Sequence, residues 1–270
     1  MKLCQKNVLV NVSVSVLVDV CVNVLVNVAI AKVEGVGIMK TIGIIGGMSY
    51  ESSAHYYERI NKQVNDKLGN LNTARIIMYS VNFEEIEPLM RENKWEQIST
   101  ILTDIAKKIE LIGADSIVIA TNTMHKLFNN IQANVGIPII HIADTVAKSC
   151  KDKKIANVGL LGTAYTMKES FLKDRLLQNG INVTVPSNDE QINEINRIIF
   201  EELCVGKIID SSREYYKKVI NELIESGAEG IILGCTEIEM LISNDDISIP
   251  VFDTTEAHIN GVVDYIISTL

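Results

Sequence analysis

The chain has 270 residues, a formal net charge of −9, 47% hydrophobic and 22% charged residues. This allows a substantial core in one large domain or two ordinary ones, and argues against a nucleic-acid partner, which needs a basic patch. Five irregularly spaced cysteines (Cys4, Cys21, Cys150, Cys204 and Cys235) form no disulfide framework, and with four scattered histidines they indicate no metal site and a reducing cytoplasm.

Residues 8–28 read VLVNVSVSVLVDVCVNVLVNV, with valine at almost every second position. Alternation is a strand period, and such a repeat is also an aggregation-prone edge. Lys2 and Lys6 before it and the Ala29-Ile30-Ala31 run after it resemble an export signal. Asn11, Asp19, Asn23 and Asn27 interrupt the apolar run that a signal or a membrane span requires. Residues 1–38 are therefore expected to be a low-complexity extension outside the fold, with Met39 a natural start.

From there, short apolar runs alternate with amphipathic stretches. Strands are expected at 41–45, 75–81, 116–120, 137–141, 155–161, 181–185, 230–233 and 250–252. Helices are expected at 52–68, 92–112, 167–179, 190–203 and 211–226, with a further helix at 256–270. Gly113 and Gly227 read as helix stops. The pattern implies an α/β protein with parallel sheets covered on both faces and a site at the carboxyl ends of the strands.

Three segments recur in order. IGIIGGMS (42–49) resembles VGLLGTAYT (158–166), IVIATNTMH (117–125) resembles IILGCTEIE (231–239), and IPIIHIADT (137–145) resembles IPVFDTTEA (249–257). The offset of about 115 residues is too long for a solenoid and suggests a duplicated lobe. Two similar lobes, 39–144 and 145–255, are expected to face each other across a cleft, with the helix 256–270 packing back on the first. The ATNT and GCTE loops would then meet at one ligand.

Cys235 follows an apolar strand and Gly234 and precedes an expected helix. A helix dipole there would favour thiolate, although a buried structural cysteine fits equally well. Thr121 holds the equivalent place in the first lobe, where the alternative is a helix N-cap. Asn122, Thr123 and Thr236 add polar donors, and backbone N–H groups there and at Met48 and Ser49 suit a carboxylate. Thr163 and Thr166 mirror the GGMS loop, and Asn82 follows a strand as a further candidate ligand. His141 and His258 sit near equivalent strand ends, either as core histidines or as groups tuning the site.

GGMSYES (46–52), TNTMH (121–125) and GCTEIE (234–239) together closely resemble the aspartate/glutamate racemase superfamily, in its aspartate racemase branch, over residues 39–270. The resemblance implies a small acidic amino acid as substrate, no pyridoxal phosphate or metal, and one cysteine per lobe moving a proton on each face of the α-carbon. Where most members carry the first cysteine this chain has Thr121, so it is similar to a Thr/Cys subgroup acting on L-aspartate and L-glutamate. Cys235 would take the α-proton of the L form. Thr121 would donate on the other face, with His125 or Glu237 to accept its proton. Arg91 is implied as the cation for the side-chain carboxylate, while a second family cation, often lysine, is replaced by Cys204. Relatives commonly form homodimers. Other superfamily members decarboxylate malonates or isomerise maleate, and Thr121 also leaves open a catalytically weak amino-acid-binding protein.

Overall fold

Strand β1 (Thr41–Gly46) buries Ile42, Ile44 and Ile45 completely, as the interior strand of a parallel sheet must. It ends at Gly47, whose φ of 90° and close approach to the Val81 backbone leave no room for a Cβ. Helix α1 (Tyr50–Leu68) follows, its N-cap Ser49 accepting from the Ser52 N–H at 3.2 Å. Strand β2 (Arg75–Ser80), α2 (Phe83–Arg91), α3 (Trp95–Ile112), β3 (Ser116–Ile119), a 3-10 turn at Thr123–Leu127, α4 (Phe128–Gln132) and β4 (Ile139–Ile140) complete the first half. This computed structural model describes residues 39–270. The reading of 1–38 as an extension falls outside the described residues.

The second half runs through α5 (Ile142–Asp152), β5 (Asn157–Leu161), α6 (Ala164–Lys168), α7 (Phe171–Gln178), β6 (Asn182–Thr184), α8 (Asp189–Glu201), α9 (Asp210–Glu225), β7 (Gly230–Leu233), β8 (Val251–Asp253) and α10 (Thr254–Ile267). The sheets have orders β2-β1-β3-β4 and β6-β5-β7-β8, parallel throughout. The three repeated sequence segments fall at the same places in the two sheets: at β1 and β5, β3 and β7, β4 and β8. Two like sheets flanked by helices are the expected fold class.

The elements differ from expectation where a residue breaks the helical path. The expected helix 92–112 begins at Trp95, after Asn93 turns with a φ of 56°. Helix α2 precedes it, unanticipated because Pro88 interrupts the pattern. The expected helix 167–179 is two helices, because Glu169 is extended with a ψ of 158° and pairs with Lys126 at 2.7 Å. The run 190–203 ends at Glu201, with a separate 3-10 turn at Leu203–Val205.

Helix α5 spans the expected boundary at 144. Its buried residues Ile142, Val146 and Cys150 pack with Val158, Leu160 and Phe252 on the second sheet. Helix α10, N-capped by Asp253, touches both halves. Its His258 Nδ1 lies 2.8 Å from the Tyr56 hydroxyl of α1, and Glu256 pairs with Arg59 at 2.9 Å. A Cβ at Gly261 would come within 2.3 Å of Thr145 on α5, so only glycine permits that approach.

Candidate active site

The loops after β1, β3, β5 and β7 converge on a cavity of about 150 Å³. Strand order alone accounts for this, because equivalent strands deliver equivalent loops at their carboxyl ends. Thr121, two residues past β3, and Cys235, two residues past β7, both line it. Met48, Ser49, Asn122, Thr123, Thr163, Thr236 and Glu237 line it as well. Cys235 is held by a tight turn: a Cβ at the preceding Gly234 would stand 3.0 Å from the Leu161 carbonyl and 3.0 Å from Thr166 Cγ2.

The thiol does not meet the environment read from the sequence. The element after Cys235 is a five-residue 3-10 turn, Thr236–Met240, too short for an appreciable helix dipole. The Cys235 thiol donates to Glu237 Oε2 at 2.9 Å, and the Thr236 hydroxyl donates to the same oxygen at 2.7 Å. Burial first, then the Glu237 charge, push the thiol well above its ordinary value. In the resting protein the group is a thiol, in place of the thiolate expected from a dipole.

Thr121 is not an N-cap; Asn122 holds that place, with no side-chain capping bond. Nor does His125 reach the Thr121 hydroxyl. Its Nδ1 lies 2.9 Å from the Thr121 carbonyl, and its Nε2 accepts from the Ile142 N–H at 3.2 Å. With both ring nitrogens occupied, His125 is neutral, and burial brings it down to about 4. It is therefore placed to shape the Thr121 loop and has no free lone pair for a proton from Thr121.

Asn122 is 7% exposed, and its amide orientation is set from behind. Nδ2 donates to Thr254 Oγ1 at 2.9 Å, and that hydroxyl donates to the Leu233 carbonyl at 3.0 Å. Asn122 Oδ1 is left as a buried acceptor without a protein partner. A buried acceptor in a cavity wall suits an incoming N–H donor.

Three expected ligands lie away from the lining. Asn82 caps α2, accepting from the Glu84 N–H at 3.3 Å, because its place just before the helix makes its carboxamide a cap. Thr166 is fully buried behind Gly162 and Gly234, and its N–H is accepted by the Thr163 hydroxyl. Arg91 is an exposed residue at the last turn of α2, bonded through both Nε and Nη2 to Glu87, one turn back. His141 caps α5 and His258 bridges Tyr56 and the Ile140 carbonyl.

The sequence reading missed the apolar walls. Phe83 and Met90 come from α2, Tyr165 from α6, and Ile199 and Phe200 from α8. Phe83, Ile86 and Met90 follow a helical spacing that could have revealed α2. Among the described residues, no Lys, Arg or His lines the cavity. Among the described residues, no cluster of His, Cys, Asp or Glu is arranged to hold a metal ion, and no helix is long and apolar enough to cross a membrane.

The sequence profile of the Asp/Glu/hydantoin racemase family matches residues 45–262. A candidate Asp/Glu racemase from Yersinia pestis superposes with a TM-score of 0.81 at 46% identity, covering 84% of this chain and 99% of that one. An aspartate racemase homologue from Pyrococcus horikoshii OT3 superposes at 0.75 with 39% identity, covering 84% and 98%. The broad specificity amino-acid racemase RacX of Bacillus subtilis (strain 168) is 22% identical over 219 residues, 79% of this chain and 92% of that one.

Proposed function

Because this chain belongs to the Asp/Glu/hydantoin racemase family, we propose that it inverts the α-carbon of an acidic amino acid, converting L-aspartate or L-glutamate to the D form by proton transfer on two faces without a cofactor. One observation carries the reading: Thr121 and Cys235 leave equivalent strands of two like sheets and line one cavity.

Cys235 removes the α-proton of the L enantiomer, and Thr121 delivers a proton to the opposite face. The intermediate carbanion needs fixed dipoles around the α-carboxylate, and the backbone at Met48 and Ser49, at the start of α1, supplies donors. The unpaired Asn122 Oδ1 accepts from the α-ammonium. For the side-chain carboxylate, Arg91 is the candidate cation: it directly follows the cavity residue Met90 and would exchange Glu87 for substrate. The enantiomers have equal free energy in water, so kcat/KM must match in the two directions while kcat and KM separately need not.

A second reading follows from the wall itself. Met48, Phe83, Met90, Ile199 and Phe200, with no cation among the described lining residues, also fit a neutral side chain, in keeping with the broad-specificity relative. Free Cys150, Cys204 and Cys235 suit a reducing cytoplasm. Exposed Met78 and Tyr79 on the edge strand β2 offer apolar surface to a second copy in a homodimer.

The test uses purified protein in D₂O with L-aspartate, L-glutamate, L-methionine or L-leucine and no added cofactor. α-Deuterium incorporation and the D enantiomer are followed together. Racemisation of the acidic pair, abolished in Cys235→Ala, is the expected result. Faster turnover of the neutral pair selects the second reading, and binding without exchange would remove both.

A further inference from the structure

If Cys235 is to act as a base, its proton needs somewhere to go. Burial makes release to solvent costly, because it would leave two adjacent negative charges, thiolate and Glu237 carboxylate, in one partly closed site. Moving the proton from Sγ to Oε2 leaves the net charge of the pair unchanged, so it avoids most of that penalty. The 2.9 Å hydrogen bond already aligns donor and acceptor. The Thr236 hydroxyl, 2.7 Å from the same oxygen, holds the carboxylate in place.

We propose that Glu237 is the internal proton acceptor for Cys235, so that the pair Sγ–H/carboxylate converts to thiolate/carboxylic acid inside the site. This rests on the racemase reading above and gives that reading a closed proton cycle. The S–H bond breaks, an O–H bond forms on Glu237, and the thiolate then takes the α-proton of the L substrate. Thr121 gives its hydroxyl proton to the other face and is left as alkoxide. The proton stored on Glu237 returns to Thr121, directly or through water, and restores the starting state with no proton gained or lost. The substrate's α-ammonium favours the thiolate further, as a cation beside a new anion.

The other titratable groups facing the pair are Cys204, from the 3-10 turn after α8, and Tyr216 on α9. Both stay neutral: partial desolvation and then the Glu237 charge push the thiol of the exposed Cys204 up to about 11, and burial pushes Tyr216 well above its ordinary value. Glu51, at the start of α1, acts on Cys204 from the first half of the molecule. None of these offers a competing acceptor on Cys235, whose hydrogen bond goes to Glu237.

The experiment compares wild type, Glu237→Gln and Glu237→Asp between pH 6 and 9. It measures kcat/KM for racemisation and, separately, the rate at which iodoacetamide alkylates Cys235, assigned by peptide mass spectrometry. An internal transfer makes both quantities nearly flat with pH in wild type. Glu237→Gln keeps the shape but loses the acceptor, so racemisation at pH 7 should fall ~100-fold or more. Both rates should then climb about tenfold per pH unit as solvent takes over ionisation. Glu237→Asp should be slower than wild type but still flat, which guards against a folding defect in the glutamine variant. An unchanged pH profile in Glu237→Gln, whether at full or uniformly reduced rate, would overturn the proposal. If wild type racemises nothing, the racemase reading fails, while the alkylation profiles still decide the Cys235–Glu237 transfer.

Discussion

At the scale of single residues, the two proposed proton carriers are unequal, and their surroundings widen the gap. Cys235 has a carboxylate partner at 2.9 Å, whereas His125 is turned to the Thr121 carbonyl. A threonine hydroxyl is a far weaker acid than a thiol and needs a base or relay to act in reverse. Thr121→Ala should therefore lose inversion while retaining α-deuterium exchange into L substrate on the Cys235 face. Recovered amino acid would stay L and become deuterated, read by NMR and chiral chromatography. Racemisation at the wild-type rate in Thr121→Ala would remove Thr121 from the mechanism. The sequence exposed this asymmetry, because residue identity alone separates thiol from hydroxyl. It concealed the partners: Glu237 was read as an acceptor for Thr121, whereas its carboxylate bonds the Cys235 thiol, an arrangement that depends on the turn that Gly234 permits.

At the scale of elements, α2 is the part of the proposed site that would meet the substrate side chain. Its apolar face supplies Phe83 and Met90 to the cavity, and its last turn carries Arg91 on the Glu87 carboxylate. An exposed i,i+4 pair of this kind is screened by solvent and holds only weakly, so a substrate carboxylate can take the arginine at little cost. Arg91→Ala should raise KM for aspartate and glutamate about tenfold, with kcat changed less, and leave neutral amino acids unaffected. Equal kinetics for acidic substrates in the variant would detach Arg91 from recognition. Strands were legible in sequence because each is a short apolar run between turn residues. Helix α2 was not, because Pro88 and the clustered glutamates mask its periodicity. The division of 164–178 into two helices was hidden for a different reason, since the break depends on Glu169 reaching Lys126 across the chain.

At the scale of the whole molecule, three buried histidines gather where β4, α1, α5 and α10 meet. The rings of His125 and His141 are 4.6 Å apart, and those of His125 and His258 are 5.6 Å apart. Burial is the leading cause that brings His125 down to about 4, His141 to about 2 and His258 to about 3. Unfolded histidine titrates near 6.5, so below that pH the unfolded chain binds protons that the folded protein refuses. Stability from this cluster is complete above pH 6.5 and lost as pH falls toward the folded values. Each histidine contributes up to ~1.4 kcal/mol per pH unit within its window. The urea midpoint should drop clearly from pH 7 to pH 5. Replacing His258 with Gln, which can still donate to the Ile140 carbonyl, should make that drop shallower. A midpoint indifferent to pH over this range would count against the cluster. The duplicated architecture was legible from three repeated segments in order, but the histidine cluster was not. It is assembled from residues up to 133 positions apart in the chain.

Lys126 has one further use. Its ammonium lies 3.9 Å above the ring of Trp95 while pairing with Glu169, and the same ring meets Tyr165, a wall of the cavity, edge-on at 5.8 Å. Trp95 is the chain's single tryptophan. The protein thus carries a built-in optical gauge beside its candidate site: any ligand that shifts Tyr165 or the Lys126 clamp alters the surroundings of one indole. Emission excited at the tryptophan edge then reports occupancy of unlabelled protein in real time, even for a ligand that undergoes no chemistry.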